Sequence, residues 1–129
     1  MALSFPDDRR YADSHETVRP EGELVRLGLS AFAVDQLGDI VFVELPEPGT
    51  PILQGQSFGT VESVKAVEEL VAPISGSVEL RNDAVLASPE ELQRDPYGEG
   101  WLLLVKPADP AQLEGLMDAA SYAAKVQGA

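Results

Sequence analysis

The stretch from Phe58 to Glu69 (Phe-Gly-Thr-Val-Glu-Ser-Val-Lys-Ala-Val-Glu-Glu) most constrains what this chain can become. Before Lys65 it is rich in β-branched and small residues, which favour extended backbone. After Lys65 a second apolar run, Ala66-Val67, leads to Leu70-Val71-Ala72 and stops at Pro73. Two extended runs around one lysine predict a β-hairpin with Lys65 at or near its tip. Gly59, near the start, permits a bend or a close backbone approach. A turn lysine is ordinarily a solubilising surface residue. Here the chain has only three lysines, Lys65, Lys106 and Lys125, and the neighbours of Lys65 are small and apolar. That is unlike a turn chosen for solubility. A lysine held out on a tight turn is exposed, rigidly placed and reachable by another enzyme.

The flanking chain reads as short strands separated by turn signals. Tyr11 to Arg19 predicts an edge strand, closed by the turn signal Pro20-Glu21-Gly22, and Glu23 to Leu29 its hairpin partner. Ser30 is placed to cap a short helix over Ala31 to Leu37, with Gly38 at the C-terminal position that needs positive φ. Asp39 to Leu45 is a near-continuous apolar run and predicts a strand buried on both faces. Pro51 to Leu53 is a short strand. Pro73-Ile74-Ser75-Gly76 makes a turn before a strand over Ser77 to Leu80. Ser88-Pro89-Glu90-Glu91 predicts a helix start with serine as cap and Glu91 completing a capping box. Gly100 to Lys106 is the last strand. Asp109-Pro110 then opens a C-terminal helical segment over residues 109–127, with Leu113, Leu116, Met117 and Ala120 on one face; Asp118 to Val126 either continues that helix or forms a second one.

The whole reads as one domain over residues 1–129, with a loose leader over 1–8 and no interdomain linker. The expected class is mainly β with small α elements. A glycine-containing turn and a short β-rich run lie on each side of Lys65. That echo fits a flattened β-sandwich, here with a C-terminal helix.

A formal charge of −13 disfavours nucleic acid and anionic membranes, which repel an acidic surface, and favours partners with basic docking patches. There is no cysteine, and His15 is the only histidine. No serine stands in a Gly-x-Ser-x-Gly context, and no glycine-rich phosphate loop appears. The polypeptide is thus poor in catalytic groups, and redox chemistry would come from an attached cofactor. No apolar run approaches membrane-spanning length. The first ten residues lack the apolar core of a signal peptide and the pattern of a transit peptide. A cytoplasmic protein is expected, with a mature organellar matrix protein as the alternative.

Four motifs in order carry a family resemblance. Glu62-Ser63-Val64-Lys65-Ala66-Val67 is similar to the lipoyl-attachment motif of the glycine cleavage system H-protein. Leu37 to Pro46 (LGDIVFVELP) resembles that family's L-G-D-I-V-x-V-E-L-P segment, Pro73 to Gly76 its P-I/V-S-G turn, and Asp95 to Leu102 (DPYGEGWL) its D-P-Y-G-x-G-W-L signature. The family usually reads S-H-E-W where this chain has Ser14-His15-Glu16-Thr17.

The resemblance implies the flattened β-sandwich, or barrel-sandwich hybrid, of lipoyl and biotinyl domains, and a lipoylated carrier that catalyses no step itself. Lipoate would be joined by an amide to Lys65, removing its charge and making a long arm. The arm would take the aminomethyl group of glycine from a pyridoxal-phosphate decarboxylase, the P-protein. It would deliver it to a tetrahydrofolate-dependent aminomethyltransferase, the T-protein. A dihydrolipoyl dehydrogenase, the L-protein, would reoxidise the arm, and separate lipoylating enzymes would install it. A monomer is expected. The loaded cargo is cationic and prone to hydrolysis, and in the family the arm folds into a surface cleft. By matching positions, Ser14, Glu16 and Glu69 are the candidates to hold its ammonium group. Thr17 stands beside them in sequence, where its departure from Trp is expected to alter the cleft. Glu62 is either a mark for the modifying enzyme or a solvated hairpin charge. Trp101 is expected in the core.

Rival readings are weaker. Biotinyl domains flank their lysine with methionines, whereas Lys65 has Val64 and Ala66. Lipoyl domains of 2-oxo acid dehydrogenases carry D-K-A and lack the D-P-Y-G-x-G-W-L segment. A lipoyl relay serving other enzymes is the functional alternative.

Overall fold

Alternating apolar residues sort the strands into two antiparallel sheets. A computed structural model describes residues 3–127; the first two residues of the expected leader and the last two of the chain lie outside them. The larger sheet contains β1 (Arg10–Tyr11), β2 (Glu16–Glu21), β3 (Leu24–Leu29), β5 (Pro51–Ile52), β8 (Gly76–Arg81) and β9 (Leu103–Pro107), in the spatial order β1-β2-β3-β9-β8-β5. The smaller sheet is β4 (Ile40–Glu44), β6 (Ser57–Ser63) and β7 (Val67–Val71). One apolar cluster lies between them, drawing Val18, Leu27, Val78 and Val105 from the larger sheet and Val43, Val61 and Leu70 from the smaller. Each such side chain contributes about 1.5–3 kcal/mol on leaving water. The arrangement is mostly β with small helices, as expected; the two sheets do not close into a barrel.

Helix α1 (Ala31–Leu37) has the expected bounds and caps: Ser30 Oγ accepts from Ala33 N, and Gly38 adopts φ 76°. The hairpin of β6 and β7 also forms, with Lys65 in its turn. Gly59 sits at an irregularity of β6, where its missing side chain lets the Glu44 carbonyl press against the backbone.

Several expectations are corrected. The predicted strand from Tyr11 to Arg19 is split, because His15 turns the chain with φ 80° between β1 and β2. Pro20 and Glu21 remain in β2, opposite Val25 and Leu24, and the turn falls at Gly22. Pro20 is tolerated because β1 is too short to demand its missing N–H. Strand β4 is not buried on both faces: Val41 and Phe42 are 50% and 51% exposed. A register shift between Ile40 and Phe42 turns both outward, on a sheet only three strands wide.

The capping box at Ser88 does not form. An unforeseen helix, α2 (Asp83–Ala87), capped by Asn82, ends at Ser88, so Ser88 closes one helix instead of opening the next. In α3 (Glu90–Arg94) Pro89 takes the cap position without a side-chain bond, and Glu91 pairs with Arg94 instead. Of the two alternatives for the C-terminal segment, the second helix is the one that forms: a 3₁₀ helix, Pro110–Gly115, is followed by α4 (Ala119–Gln127). Their apolar residues part company accordingly. Leu113 and Leu116 pack on the main core, while Met117 joins a second cluster around Tyr11 and Tyr122. Trp101 is half-buried, with the Arg26 guanidinium 5.1 Å over its ring. In the leader, Phe5 lies edge-on to Tyr122, and the Tyr11 hydroxyl donates to the Pro6 carbonyl.

The packing at Gly59 makes a direct prediction. Gly59→Ala sets a methyl group against the Glu44 carbonyl, and we expect a loss of about 2 kcal/mol from overpacking. Gly115→Ala, where an added Cβ meets nothing within 4 Å, should stay within about 0.5 kcal/mol or gain slightly. Urea unfolding followed by the fluorescence of Trp101 separates the two.

Candidate functional site

The turn that presents Lys65 is built by Ser63. Its Oγ, buried at the end of β6, accepts from the backbone N–H groups of Lys65 and Ala66, both at 3.2 Å. Ser63 N donates to the Ala66 carbonyl at 2.8 Å, and Val64 N to the Asp39 carbonyl at 3.0 Å. Such side-chain bonds to nearby backbone N–H groups hold a turn without a glycine. Val64, Lys65 and Ala66 are exposed. The tip is therefore accessible yet anchored at its base.

The lysine side chain lies back across Gly38. A Cβ at that glycine would stand 3.1 Å from Lys65 Cε and 3.8 Å from Nζ. From here a cleft of about 370 Å³ opens between α1 and the hairpin. Phe32, Ala33, Gln36 and Leu37 form its helical wall; Val61, Glu68, Glu69 and Leu70 form its strand wall. Ser14, His15 and Glu16 line it as well, from the turn that enters β2.

Glu16 is the unusual group. It is 1% exposed and unpaired by any cation among the described residues. One carboxylate oxygen accepts from Ser14 Oγ; the other accepts from Val71 N at 2.8 Å. Burial drives its pKa above the ordinary value, and the bonds from Ser14 and Val71 oppose that shift without cancelling it. Ser14 and Glu69 are exposed at the same cleft. The predicted site residues thus converge: Lys65, Ser14, Glu16 and Glu69 share one cleft although they span over fifty positions of sequence.

Thr17 does not share it. It is buried on the opposite face of β2, with its Oγ1 3.2 Å from where a Gly28 Cβ would stand. Strand alternation sends neighbours to opposite faces, so its departure from Trp affects packing near Arg26 and Trp101 and not the cleft. Glu62 faces outward, in register between Phe42 and Val67. Sequence reasoning missed Glu68, whose signal was legible: period-2 alternation puts it on the side of buried Leu70. It also missed Phe32 and Gln36, which only the helix docking brings to the cleft.

An apolar channel with carboxylates along it, starting at an exposed amine, suits a tethered arm with an apolar stem and a cationic end. Its residues fit lipoate as that arm. A family model described as glycine cleavage H-protein matches residues 9–129. The chain belongs to the glycine cleavage H-protein family. It is 68% identical over its full length to the full-length glycine cleavage system H protein of Synechococcus sp. (strain CC9311). It is 67% identical to that of Prochlorococcus marinus (strain MIT 9313), covering 98% of this chain and 96% of that one. The crystal structure of a glycine cleavage system H protein from Mycobacterium marinum superposes with a TM-score of 0.88 at 40% identity, covering 95% of this chain and 98% of that one. As a member of the family this chain is a non-catalytic carrier subunit of the glycine cleavage system, a family that carries lipoate. The relay reading is not favoured. No helix among the described residues is long and apolar enough to cross a membrane.

The buried carboxylate sets a pH signature. Because the folded-state pKa of Glu16 lies above its unfolded value of about 4.5, the folded state binds the extra proton between the two, and stability falls as pH rises through that window. Glu16→Gln removes the titration; its amide oxygen still accepts from Val71 N, and its amide nitrogen donates to Ser14 Oγ where the carboxylate accepted from it. The stability difference of Glu16→Gln over wild type should therefore grow with pH from about 4.5 upward and level off above the folded pKa. Urea midpoints measured at a series of pH values check this.

Proposed function

We propose that Lys65 is the attachment site of lipoate, that the modified arm folds into the adjoining cleft, and that Ser14, Glu16 and Glu69 hold the ammonium end of its aminomethyl cargo there. The observation that carries this reading is the continuity of one cleft from the exposed Lys65 tip to the Glu16 carboxylate. When bound, the dithiolane supplies the thiol–disulfide couple that a chain without cysteine lacks.

The protein's own residues act by placement. The Ser63-anchored turn fixes the origin of the arm. Leu29, Phe32, Leu37 and Val61 exclude water from the stem. Glu16, already desolvated and bonded on both oxygens, faces no large new desolvation cost when a cation arrives. Arrival of that cation favours ionised Glu16 and so opposes the burial effect on its pKa. Glu69 and Glu68, at the open rim, add attraction that salt screens. Release requires the arm to leave the cleft, and the exposed tip gives it room to enter a partner's active site. Tethering then replaces free diffusion with a high effective concentration at each partner. The partners in this reading are the P-, T- and L-proteins and the enzymes that lipoylate Lys65.

Two measurements test it. Intact mass after co-expression with a lipoylating enzyme should rise by one lipoyl group in wild type and remain unchanged in Lys65→Arg; a gain that persists in the variant rejects the site. Glu16→Gln combined with Glu69→Gln should shorten the lifetime of the loaded cargo about tenfold or more, since a charge-assisted hydrogen bond contributes about 1.5–3 kcal/mol. An unchanged lifetime rejects the cleft.

A further inference from the structure

Tyr122, in α4, is fully buried, with its ring stacked on Tyr11 at 4.6 Å and met edge-on by Phe5 at 5.3 Å. Phenylalanine would serve that packing as well, because a buried hydroxyl must find partners. The Tyr122 hydroxyl has two: His15 Nδ1 at 2.7 Å and Ser30 Oγ at 2.6 Å. Proton counting gives this chain a direction. Ser30 Oγ accepts the Ala33 N–H at 3.2 Å as the cap of α1. Its own proton needs an acceptor, and among the described residues Tyr122 Oη is the one it reaches. Tyr122 therefore spends its proton on His15 Nδ1. An imidazole nitrogen that accepts is unprotonated, so His15 is neutral and carries its proton on Nε2. Burial, which holds the His15 pKa below the usual value, agrees with a neutral ring.

His15 is also where the backbone is strained, with φ 80° in a region that non-glycine residues enter at a cost. Its carbonyl accepts from Ser30 N at 3.0 Å, and its ring tilts against Phe32 at 5.2 Å. The same turn presents Ser14 and Glu16, while Ser30 and Phe32 begin the helix that forms the facing wall. Lys125 of α4 pairs with Asp13 of this turn, an exposed contact that contributes little.

We propose that Tyr122 is a positioning residue for the cleft: its hydroxyl, accepting from Ser30 and donating to His15 Nδ1, pins the left-handed turn at His15 to the start of α1 and thereby sets where Ser14 and Glu16 stand. The inference rests on the reading of that cleft as the shelter of the arm. The C-terminal helix is then a clasp between the His15 turn and the start of α1, although none of its residues lines the cavity.

The test uses the one histidine of the chain, whose ring nitrogens give an unambiguous signal in the 15N-labelled full-length protein. Wild type should show a proton on Nε2 and an unprotonated, hydrogen-bonded Nδ1; a proton on Nδ1 overturns the proposal. Tyr122→Phe keeps the aromatic stack. It should shift the Nδ1 resonance, move the backbone amide signals of Ser14 and Glu16, and shorten the lifetime of the loaded cargo about fivefold, the size of one ordinary hydrogen bond. Val85→Ala, a buried change in α2 away from the cleft, lowers stability and should leave all three readouts in place. Failure here and failure of the shelter reading are distinguishable. If the double Glu16→Gln, Glu69→Gln variant shortens the lifetime and Tyr122→Phe does not, Tyr122 has no positioning role. If neither shortens it, the shelter reading is lost, and unmoved Ser14 and Glu16 amides in Tyr122→Phe overturn the positioning as well.

Discussion

A single hydrogen bond joins the two sheets at the point that matters: the Glu16 carboxylate of β2 accepts from Val71 N of β7. Burying a carboxylate is costly unless its oxygens are bonded. Here one is bonded across the sheets and the other by Ser14, so the cost is partly offset and the carboxylate is held from two sides. That bond ties Glu16, which lines the cleft, to the strand that carries Glu68, Glu69 and Leu70 of its strand wall. The apolar core beneath stabilises the fold, but apolar contacts are non-directional. The directional bonds decide where the two sheets stand relative to each other beside the cleft.

The hairpin answers a separate demand. In the proposed function the carrier offers Lys65 to several enzymes and returns its arm to one shelter. Accessibility asks for an exposed tip, and return asks for a fixed origin. Ser63 meets both by bonding the turn from below while Val64, Lys65 and Ala66 remain in solvent. Gly38 and Gly59 contribute through what they lack: one leaves room for the lysine methylenes, the other for the Glu44 carbonyl.

Much of this was legible in residues alone. The hairpin, α1 with both caps, and the mainly β class follow from local signals of period, turn chemistry and capping. Errors arose where tertiary contacts overruled them. The apolar run of β4 looked doubly buried because hydrophobicity does not reveal how wide the covering sheet is. Ser88 carried a true capping signal, but α2 claimed it from the other side. The stripe from Leu113 to Ala120 assumed one shared face, and the chain instead bridges from Met117 to Tyr11 between two short helices, which parts Leu113 and Leu116 from Met117.

The sequence by itself determined that Lys65 stands on a hairpin tip, that the chain lacks thiols and carries a single histidine, and that its four motifs follow the order of the H-protein family. These are properties of local spacing and of residue identity, which survive without knowledge of distant contacts. Only the tertiary structure decided that Glu16 is buried while Thr17 turns away from the cleft. It alone joined Phe32 and Gln36 to the cleft walls and brought Tyr122, 107 positions away, onto His15. The reason is physical. Alternation along a strand assigns neighbours to opposite faces, but which face meets a cleft depends on how the sheets and helices dock. Docking is the sum of many long-range contacts that no local window contains.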